Sequence, residues 1–402
     1  MKKGWEIKSL GEIADVEYGF TDKSTEEGNY RYVRITDIDN NGELISTEKK
    51  YLKHSKEAEG FLIHDNDLLM ARTGATFAKV LLYRNLEPSV FASYLLRIKF
   101  KDKIENKLYW YFTKTKSYWD QANSLASGAA QPHFNGAAVK QVIFSYPKSL
   151  PEQQRIVAIL DEAFAAIAKA KANAQQNLQN AKQLFESYLQ GVFENKGDGW
   201  EEKSLGEVLV KTETVDPTKK PKDEFIYLDV SSVNKETKEI ENATVLLGKD
   251  APSRARKLVR TNDVIFAIVR PTHSRVALIT EEYDEQVCST GYFVLRAKDF
   301  LNNNFVFYFL LTYGFNKQME KLQKGASYPA VTDAEVKSIF ISFPKSKKEQ
   351  QGIVQELDAL KAETKKLEAI YQQKINDLEE LKKSILQKAF SGELTAKKLQ
   401  TV

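Results

Sequence analysis

Tyr146-Pro147-Lys148-Ser149 followed by Glu152-Gln153-Gln154 returns 197 residues later as Phe343-Pro344-Lys345-Ser346 followed by Glu349-Gln350-Gln351. Beyond each copy the chain changes character. From Pro151, a good helix opener, to Phe193 no further Pro occurs and no Gly before Gly191, and from Lys347 to Phe390 only Gly352 interrupts. The reading predicts two helices of roughly 40 residues, each about 60 Å long at 1.5 Å per residue. Toward the amino terminus the duplication continues. Gly4-Trp5 with Lys8-Ser9-Leu10-Gly11-Glu12 returns as Gly199-Trp200 with Lys203-Ser204-Leu205-Gly206-Glu207, displaced by 195, and Asn66-Asp67 returns as Asn262-Asp263, displaced by 196. A register that drifts so little implies one tandem duplication and two similar bodies related by a pseudo-two-fold axis. Such a chain is suited to gripping an object that also has two halves.

Each long stretch carries a heptad-like apolar seam. In the first it runs Ile156, Leu160, Ala163, Ile167, Ala170, Ala174, Asn177, Ala181, Leu184 and Tyr188, and in the second Ile353, Leu357, Leu360, Thr364, Leu367, Tyr371, Lys374, Leu378, Leu381 and Ile385. That spacing is the signature of a coiled coil. Small residues of the first seam face large ones of the second if the helices run antiparallel, with Ala163 near Leu378 and Ala181 near Leu360. A parallel pairing, with Ala163 near Leu360, also packs, and each helix could instead lie on its own domain. The two-fold relation favours the antiparallel arrangement, which also brings the chain's ends together. The remaining segments are mixed. β-rich runs at Tyr30 to Ile35, Val90 to Ile98, Val264 to Val269 and Gly291 to Arg296 are separated by Gly, Asn and Asp, and one aromatic helix is expected at Lys107 to Leu125 and again at Asn303 to Leu322. The expected fold is α+β: tandem mixed α/β domains at 1-148 and 196-345, separated by long helices at 149-195 and 346-402 that form an antiparallel coiled coil, pseudo-two-fold symmetric and circularly organised.

Composition narrows the class. A chain of 402 residues, 28% charged and 42% hydrophobic, belongs with ordinary globular proteins of two to four domains. No apolar run reaches the roughly 20 residues a membrane-spanning helix needs. The start, Met1-Lys2-Lys3-Gly4-Trp5-Glu6, lacks a secretory signal's apolar core, and Cys288 is the only cysteine, so a cytoplasmic protein without disulfides is expected. The net charge of +4, from 59 basic and 55 acidic residues, does not decide for nucleic acid, because phosphate affinity depends on local clustering.

Several phrases together resemble one family. Glu152-Gln153-Gln154-Arg155-Ile156-Val157 and Glu349-Gln350-Gln351-Gly352-Ile353-Val354 look like the helix openings of specificity subunits of type I restriction-modification systems. Ser384-Ile385-Leu386-Gln387-Lys388-Ala389-Phe390-Ser391-Gly392-Glu393-Leu394 is similar to that family's carboxy-terminal signature, and Trp5 with Leu10-Gly11-Glu12 resembles the opening of its target-recognition domains. Asp67 to Thr76 and Gly325 to Val331 also match recurring phrases. The resemblance implies two target-recognition domains, each reading one half of an interrupted double-stranded DNA sequence, with the helices as a ruler for the gap. It implies docking of two methyltransferase subunits and of restriction/translocase subunits, no membrane, and no cofactor on this chain; S-adenosylmethionine, ATP and Mg would serve the partners. Half-sites one turn of B-DNA apart lie roughly 34 Å from each other, within the reach of such a rod.

Candidate DNA-binding residues follow from local charge. Between Ala251 and Arg275 stand Arg254, Arg256, Lys257, Arg260, Arg270 and Arg275 against the single acid Asp263, with His273 among them. Arginine suits phosphate and guanine because its planar fork donates two parallel hydrogen bonds; a solvated loop with scattered ion pairs is the plainer alternative. The first-repeat counterpart, Arg72-Thr73-Gly74-Ala75-Thr76-Phe77-Ala78-Lys79, sets two cations around a turn able to approach a phosphate. Gln131, His133 and Tyr328 occupy equivalent loops that are either readers or local turns. Arg31 and Arg34, three apart on one strand, point to opposite faces, so at most one, taken as Arg34, meets DNA. Unlike loops in the two repeats imply an asymmetric target.

Catalysis is not expected of this chain. It has no Asn/Asp-Pro-Pro-aromatic tetrad, no Gly-rich cofactor loop and no Gly-Lys-Ser/Thr phosphate loop, while Glu105-Asn106-Lys107 and Glu201-Glu202-Lys203 lack the acidic partner a nuclease needs. His54, His64, His133 and His273 are too scattered for a zinc site. A stand-alone DNA-binding regulator and a coiled-coil scaffold remain as the other readings.

Overall fold

The computed structural model of the protein describes residues 4–45, 48–85, 87–128 and 132–394. They fall into two compact units, one holding the residues up to 174 together with those from 373 onward, the other holding 175–372.

The repeated Lys-Ser-Leu-Gly-Glu phrase is a strand end and a helix cap. In the first unit Trp5–Ser9 pairs antiparallel with Ile143–Pro147, and the Glu12 carboxylate accepts from the Ser9 amide at 2.6 Å and from its hydroxyl at 2.7 Å, opening the helix Leu10–Ile13. In the second, Trp200–Ser204 pairs with Phe340–Pro344, and Glu207 accepts from the amide and hydroxyl of Ser204 at 2.8 and 2.7 Å. A capping box explains both, because serine and glutamate three apart satisfy the amides a helix start leaves open.

Two further sheets build each unit. In the first, the order Ala14–Tyr18, Leu95–Phe100, Leu68–Ala71, Val80–Leu82 forms one, and Tyr51–Leu52, Tyr30–Val33, Ser89–Phe91 the other. The second unit has Val276–Leu278, Val264–Ala267, Tyr292–Leu295, and then Thr244–Leu247, Glu224–Leu228, Val287–Ser289, Ala255–Leu258. The central strands read as unbroken apolar runs because both faces are covered. Leu68 and Met70 enter one core while Leu69 and Ala71 enter another, and Val264 and Phe266 alternate likewise with Ile265 and Ala267.

The structure divides two elements expected to be continuous. Val90 to Ile98 is two strands in different sheets, Ser89–Phe91 and Leu95–Phe100, joined by a tight turn with Leu95 N–H on the Ala92 carbonyl. The aromatic stretch is two helices in each unit: Asn106–Phe112 with Lys116–Leu125, and Asn303–Leu310 with Tyr313–Leu322. A threonine makes the break. Thr115 Oγ1 donates to the Phe112 carbonyl and accepts from the Tyr118 amide, and Thr312 does the same between Phe309 and Phe315, closing one helix and capping the next.

The long helices are Leu150–Glu194 and Lys347–Ser391, 45 residues each. Within the first unit they run antiparallel: Ile156 and Leu160 share a core with Leu386 and Ala389, while farther along Lys171 pairs with Glu379. The second unit brings Leu189 to Val354 and Leu357, with the Tyr188 hydroxyl donating to Glu356 at 2.8 Å. Of the expected seam, Leu160, Ile167, Ala174, Ala181 and again Leu357 and Thr364 are covered. Elsewhere the seam loosens or turns by one residue. Ala163, Ala170, Leu360, Tyr371 and Leu378 are half-buried, but Leu184, Tyr188, Leu367 and Leu381 are exposed, and Phe164, Phe185 and Val354 turn inward instead. The domains cause this, because Phe164 packs edge-on against Tyr111 at 5.4 Å and Phe185 lies 6.2 Å from Tyr308. Each helix thus faces its antiparallel neighbour and a domain together.

A buried glutamine fastens each helix to its domain. Gln153 Oε1 accepts from the Glu105 amide and its Nε2 donates to the Pro147 carbonyl, both at 2.8 Å. Gln350 repeats this with the Asn302 amide and the Pro344 carbonyl at 2.8 Å, adding the Phe300 carbonyl at 3.0 Å. About two turns later the Tyr111 hydroxyl donates to Asp161, and Tyr308 to Asp358, each at 2.5 Å. Segments far apart in the chain complete the first unit, where Trp5 and Leu394 pack on one core.

Gln153→Ala strands a buried amide and a buried carbonyl, a loss of about 2 kcal/mol or more; hydrogen exchange should show weakened protection in the first unit and unchanged protection in the second. Cys288 is fully buried and its thiol is pushed up to about 12 by that burial. A thiol reagent at pH 8 should therefore leave the folded protein unlabelled and label it fully in denaturant.

Candidate nucleic-acid interface

One backbone loop occurs twice. Ala71 N–H donates to the Lys79 carbonyl as Ala267 N–H does to Arg275, both at 2.9 Å; Arg72 N–H meets the Tyr94 carbonyl as Ile268 N–H meets Gly291. The amides of Phe134 and Val331 close the loops onto the carbonyls of Arg72 and Ile268. Residues 72–79 therefore correspond to 268–275 one for one. Both loops turn through left-handed backbone at the same two places, Gly74 (φ 78°) with Arg270 (φ 51°), and Ala78 (φ 59°) with Ser274 (φ 47°). Neighbouring segments hold the unusual residues there. Ala78 is buried with its carbonyl accepting from the Tyr118 hydroxyl at 2.6 Å, and Ser274 Oγ accepts from Asn316 Nδ2 at 2.5 Å.

Most side chains on this shared frame differ, Thr76 and Thr272 being the one identical pair. In the first unit the Arg72 guanidinium lies between two tyrosines, 5.2 Å from the Tyr18 ring and 5.8 Å from the Tyr94 ring, with no carboxylate paired to it among the described residues. Two aromatic rings restrain it while its N–H groups stay without a carboxylate, and a planar fork in that state suits a pair of acceptors. Thr73 is buried with its hydroxyl unpartnered, and Lys79 donates to Asn40 Oδ1 at 2.6 Å. His133 exchanges backbone hydrogen bonds with Ser127, and Gln131 lies outside the described residues. Arg31 is 2% exposed, while Arg34, just past the strand, spends its fork on Asp37 and the Glu48 carbonyl.

The basic cluster of the second unit sorts into tied and untied members. Arg256 meets Asp216 at 3.5 Å, Arg260 meets Glu213 at 3.0 Å, and Lys257 Nζ is held by Asp333 and the Tyr292 carbonyl. Arg275 donates to the Val233 carbonyl. Arg254 and Arg270 are exposed and paired with no carboxylate among the described residues; His273, whose amide donates to the Arg270 carbonyl, is exposed too. Arg254 stands at a cleft of about 440 Å³ with Tyr227, Asn242 and Thr244. Arg270 lies over the Tyr328 ring at 4.8 Å, and Tyr328, in the position of Gln131, is 71% exposed.

Sequence reasoning missed Tyr18 and Tyr94, because the Arg72 sandwich is assembled from three segments far apart in the chain. It also missed Arg296, whose fork takes both oxygens of Asp263 at 2.7 and 2.8 Å and whose other nitrogen meets Glu213 at 2.9 Å. Asp263, the lone acid of the cluster, is 1% exposed and committed inward. No helix among the described residues is long and apolar enough to cross a membrane.

Comparison with known proteins gives one consistent result. The family described as Type I restriction modification DNA specificity domain matches residues 2–178 and 197–380. The specificity subunit of the Escherichia coli type I restriction enzyme EcoBI is 21% identical, covering 98% of this chain and 86% of that protein. The MjaVIII specificity subunit of Methanocaldococcus jannaschii is 23% identical over 84% of this chain and 81% of its own. In fold, the chain matches one from a type I R-M system solved to explain complex assembly and conformational transition, with a TM-score of 0.75, 18% identity, and coverage of 97% and 98%. It also matches the HsdS subunit of Thermoanaerobacter tengcongensis, with a TM-score of 0.65, 19% identity and 98% coverage of both chains.

The division into tied and untied cations has a measurable consequence. Arg254→Ala and Arg270→Ala should each change the unfolding free energy by less than about 0.5 kcal/mol, whereas Arg296→Ala, which strands the buried Asp263 carboxylate, should cost about 3 kcal/mol or more. Urea titrations of the three variants provide the comparison.

Proposed function

We propose, from the fact that this chain belongs to the family of type I restriction modification DNA specificity domains, that it is the DNA-reading subunit of such a system and binds an asymmetric, bipartite target. Each unit reads one half of the site, and the pair of long helices sets the unread gap between them. Two methyltransferase subunits dock on this chain and transfer methyl groups to adenine, with restriction/translocase subunits joining the same assembly. S-adenosylmethionine, ATP and Mg act in those partners, and this chain contributes positioning without chemistry of its own.

The observation that carries the reading is the loop that recurs at 72–79 and 268–275. A frame kept in its hydrogen bonds and its left-handed turns, yet refitted with unlike side chains, is what two readers of unlike half-sites require. Arg72, on its tyrosines, and Arg254 and Arg270, without acid partners, are the cations free to approach a nucleic acid in each unit. Support for the gap-setting role comes from the continuity of the helices, each of which contributes to both units.

Single-molecule sequencing of host DNA tests the proposal. A two-part motif carrying N6-methyladenine, with different bases in its halves, should vanish when this chain is deleted, and affinity purification should recover a methyltransferase in two copies. An unchanged methylation pattern would refute the assignment. DNA binding without a methyltransferase would favour a stand-alone regulator.

A further inference from the structure

We infer that Arg270 is a specificity-determining residue of the second unit, donating its fork to a guanine in the half-site which that unit reads. This deepens the DNA-recognition reading and rests on it.

The backbone supplies the first argument. Arg270 sits at φ 51° and ψ 56°, a left-handed conformation that side chains other than glycine's adopt reluctantly, and the matching residue of the first unit is Gly74 at φ 78°. Glycine meets this turn without strain. An arginine there brings strain without helping the fold, since its guanidinium pairs with no carboxylate among the described residues. The surroundings hold it in place. The Arg270 amide donates to the Pro329 carbonyl at 2.6 Å, its carbonyl accepts from His273 N–H at 3.0 Å, and Asn316 Nδ2 secures the next residues through the Thr272 carbonyl at 3.3 Å.

The side chain supplies the second. The guanidinium rests over the Tyr328 ring at 4.8 Å, and that ring is itself 71% exposed, so both groups face solvent as a preformed pair. The guanidinium is planar by its own bonding, and its contact with the ring limits where it can swing. Fixed planarity matters for a partner with two acceptors in one plane. Guanine O6 and N7 in the major groove are such a pair, whereas a phosphate takes any cation in many orientations. The loop backbone turns back closely at this point: a side chain at Gly325 (φ 106°) would approach the Tyr328 carbonyl to 3.1 Å.

The test uses the full chain co-expressed with its methyltransferase, and reads the methylated motif for wild type, Arg270→Gly and Tyr328→Ala. Arg270→Gly installs the residue of the first unit and removes the strain, so the protein should melt no lower than wild type. Its motif should lose the requirement for guanine at one position of one half-site, a discrimination of about ten- to hundredfold, with the other half-site unchanged. Tyr328→Ala should weaken the same requirement without moving it elsewhere. The inference is overturned if Arg270→Gly keeps every base of the wild-type motif, or if methylation falls uniformly with unaltered base preference, as loss of a phosphate contact would give. A wild-type complex that yields no bipartite motif would instead refute the functional reading beneath it.

Discussion

The structure depends on two buried amides. Gln153 and Gln350 each stand at the first turn of a long helix, accept from a loop amide on the domain, and donate to the carbonyl of the proline that closes the last strand. Neither side chain reaches water, so each must keep its partners or leave them stranded. The consequence is directional. A helix tied to both a strand end and a loop leaves its domain along one line, and the tyrosine–aspartate bonds at Tyr111 and Tyr308 hold that line farther along. Without such ties, the direction in which each helix leaves its own domain would not be set.

On this frame, constancy and divergence are separated by location. The caps at Ser9 and Ser204, the glutamine ties and the left-handed turns recur nearly atom for atom, because they answer to backbone geometry. The projecting side chains do not recur. Arg72 between two tyrosines has Ile268 as its counterpart, and Gly74 has Arg270. Backbone is preserved where it sets position, and side chains vary where they project from it.

Much of this was legible in the chain, and the remainder was hidden for identifiable reasons. The duplication and both long helices follow from periodicity and spacing, which survive in one dimension, while the seam alone admitted a parallel pairing and only the two-fold relation favoured the antiparallel one. The helix seam was half right, since a heptad pattern cannot tell that Phe164 and Phe185 are drawn to Tyr111 and Tyr308. The breaks at Thr115 and Thr312 were missed because threonine is unremarkable until its hydroxyl is seen bridging two helices. Among the basic residues, composition could not separate Arg256, Lys257 and Arg260, neutralised by acids brought from other segments, from Arg254 and Arg270, which are not. Charge clusters are visible in a sequence, but their neutralisation is a property of the fold.

The first unit is completed by residues from both extremes of the chain, with Ile385, Leu386, Ala389 and Phe390 packed into a core that opens with Trp5 and Leu10. The second is drawn from one uninterrupted span. During synthesis the order of maturation is therefore inverted. The unit translated first must wait, its apolar surface uncovered, until residues 385–390 are made, while the later unit is complete once residue 372 is. A chain cut just after residue 372 would accordingly lose part of the first core and keep the second whole.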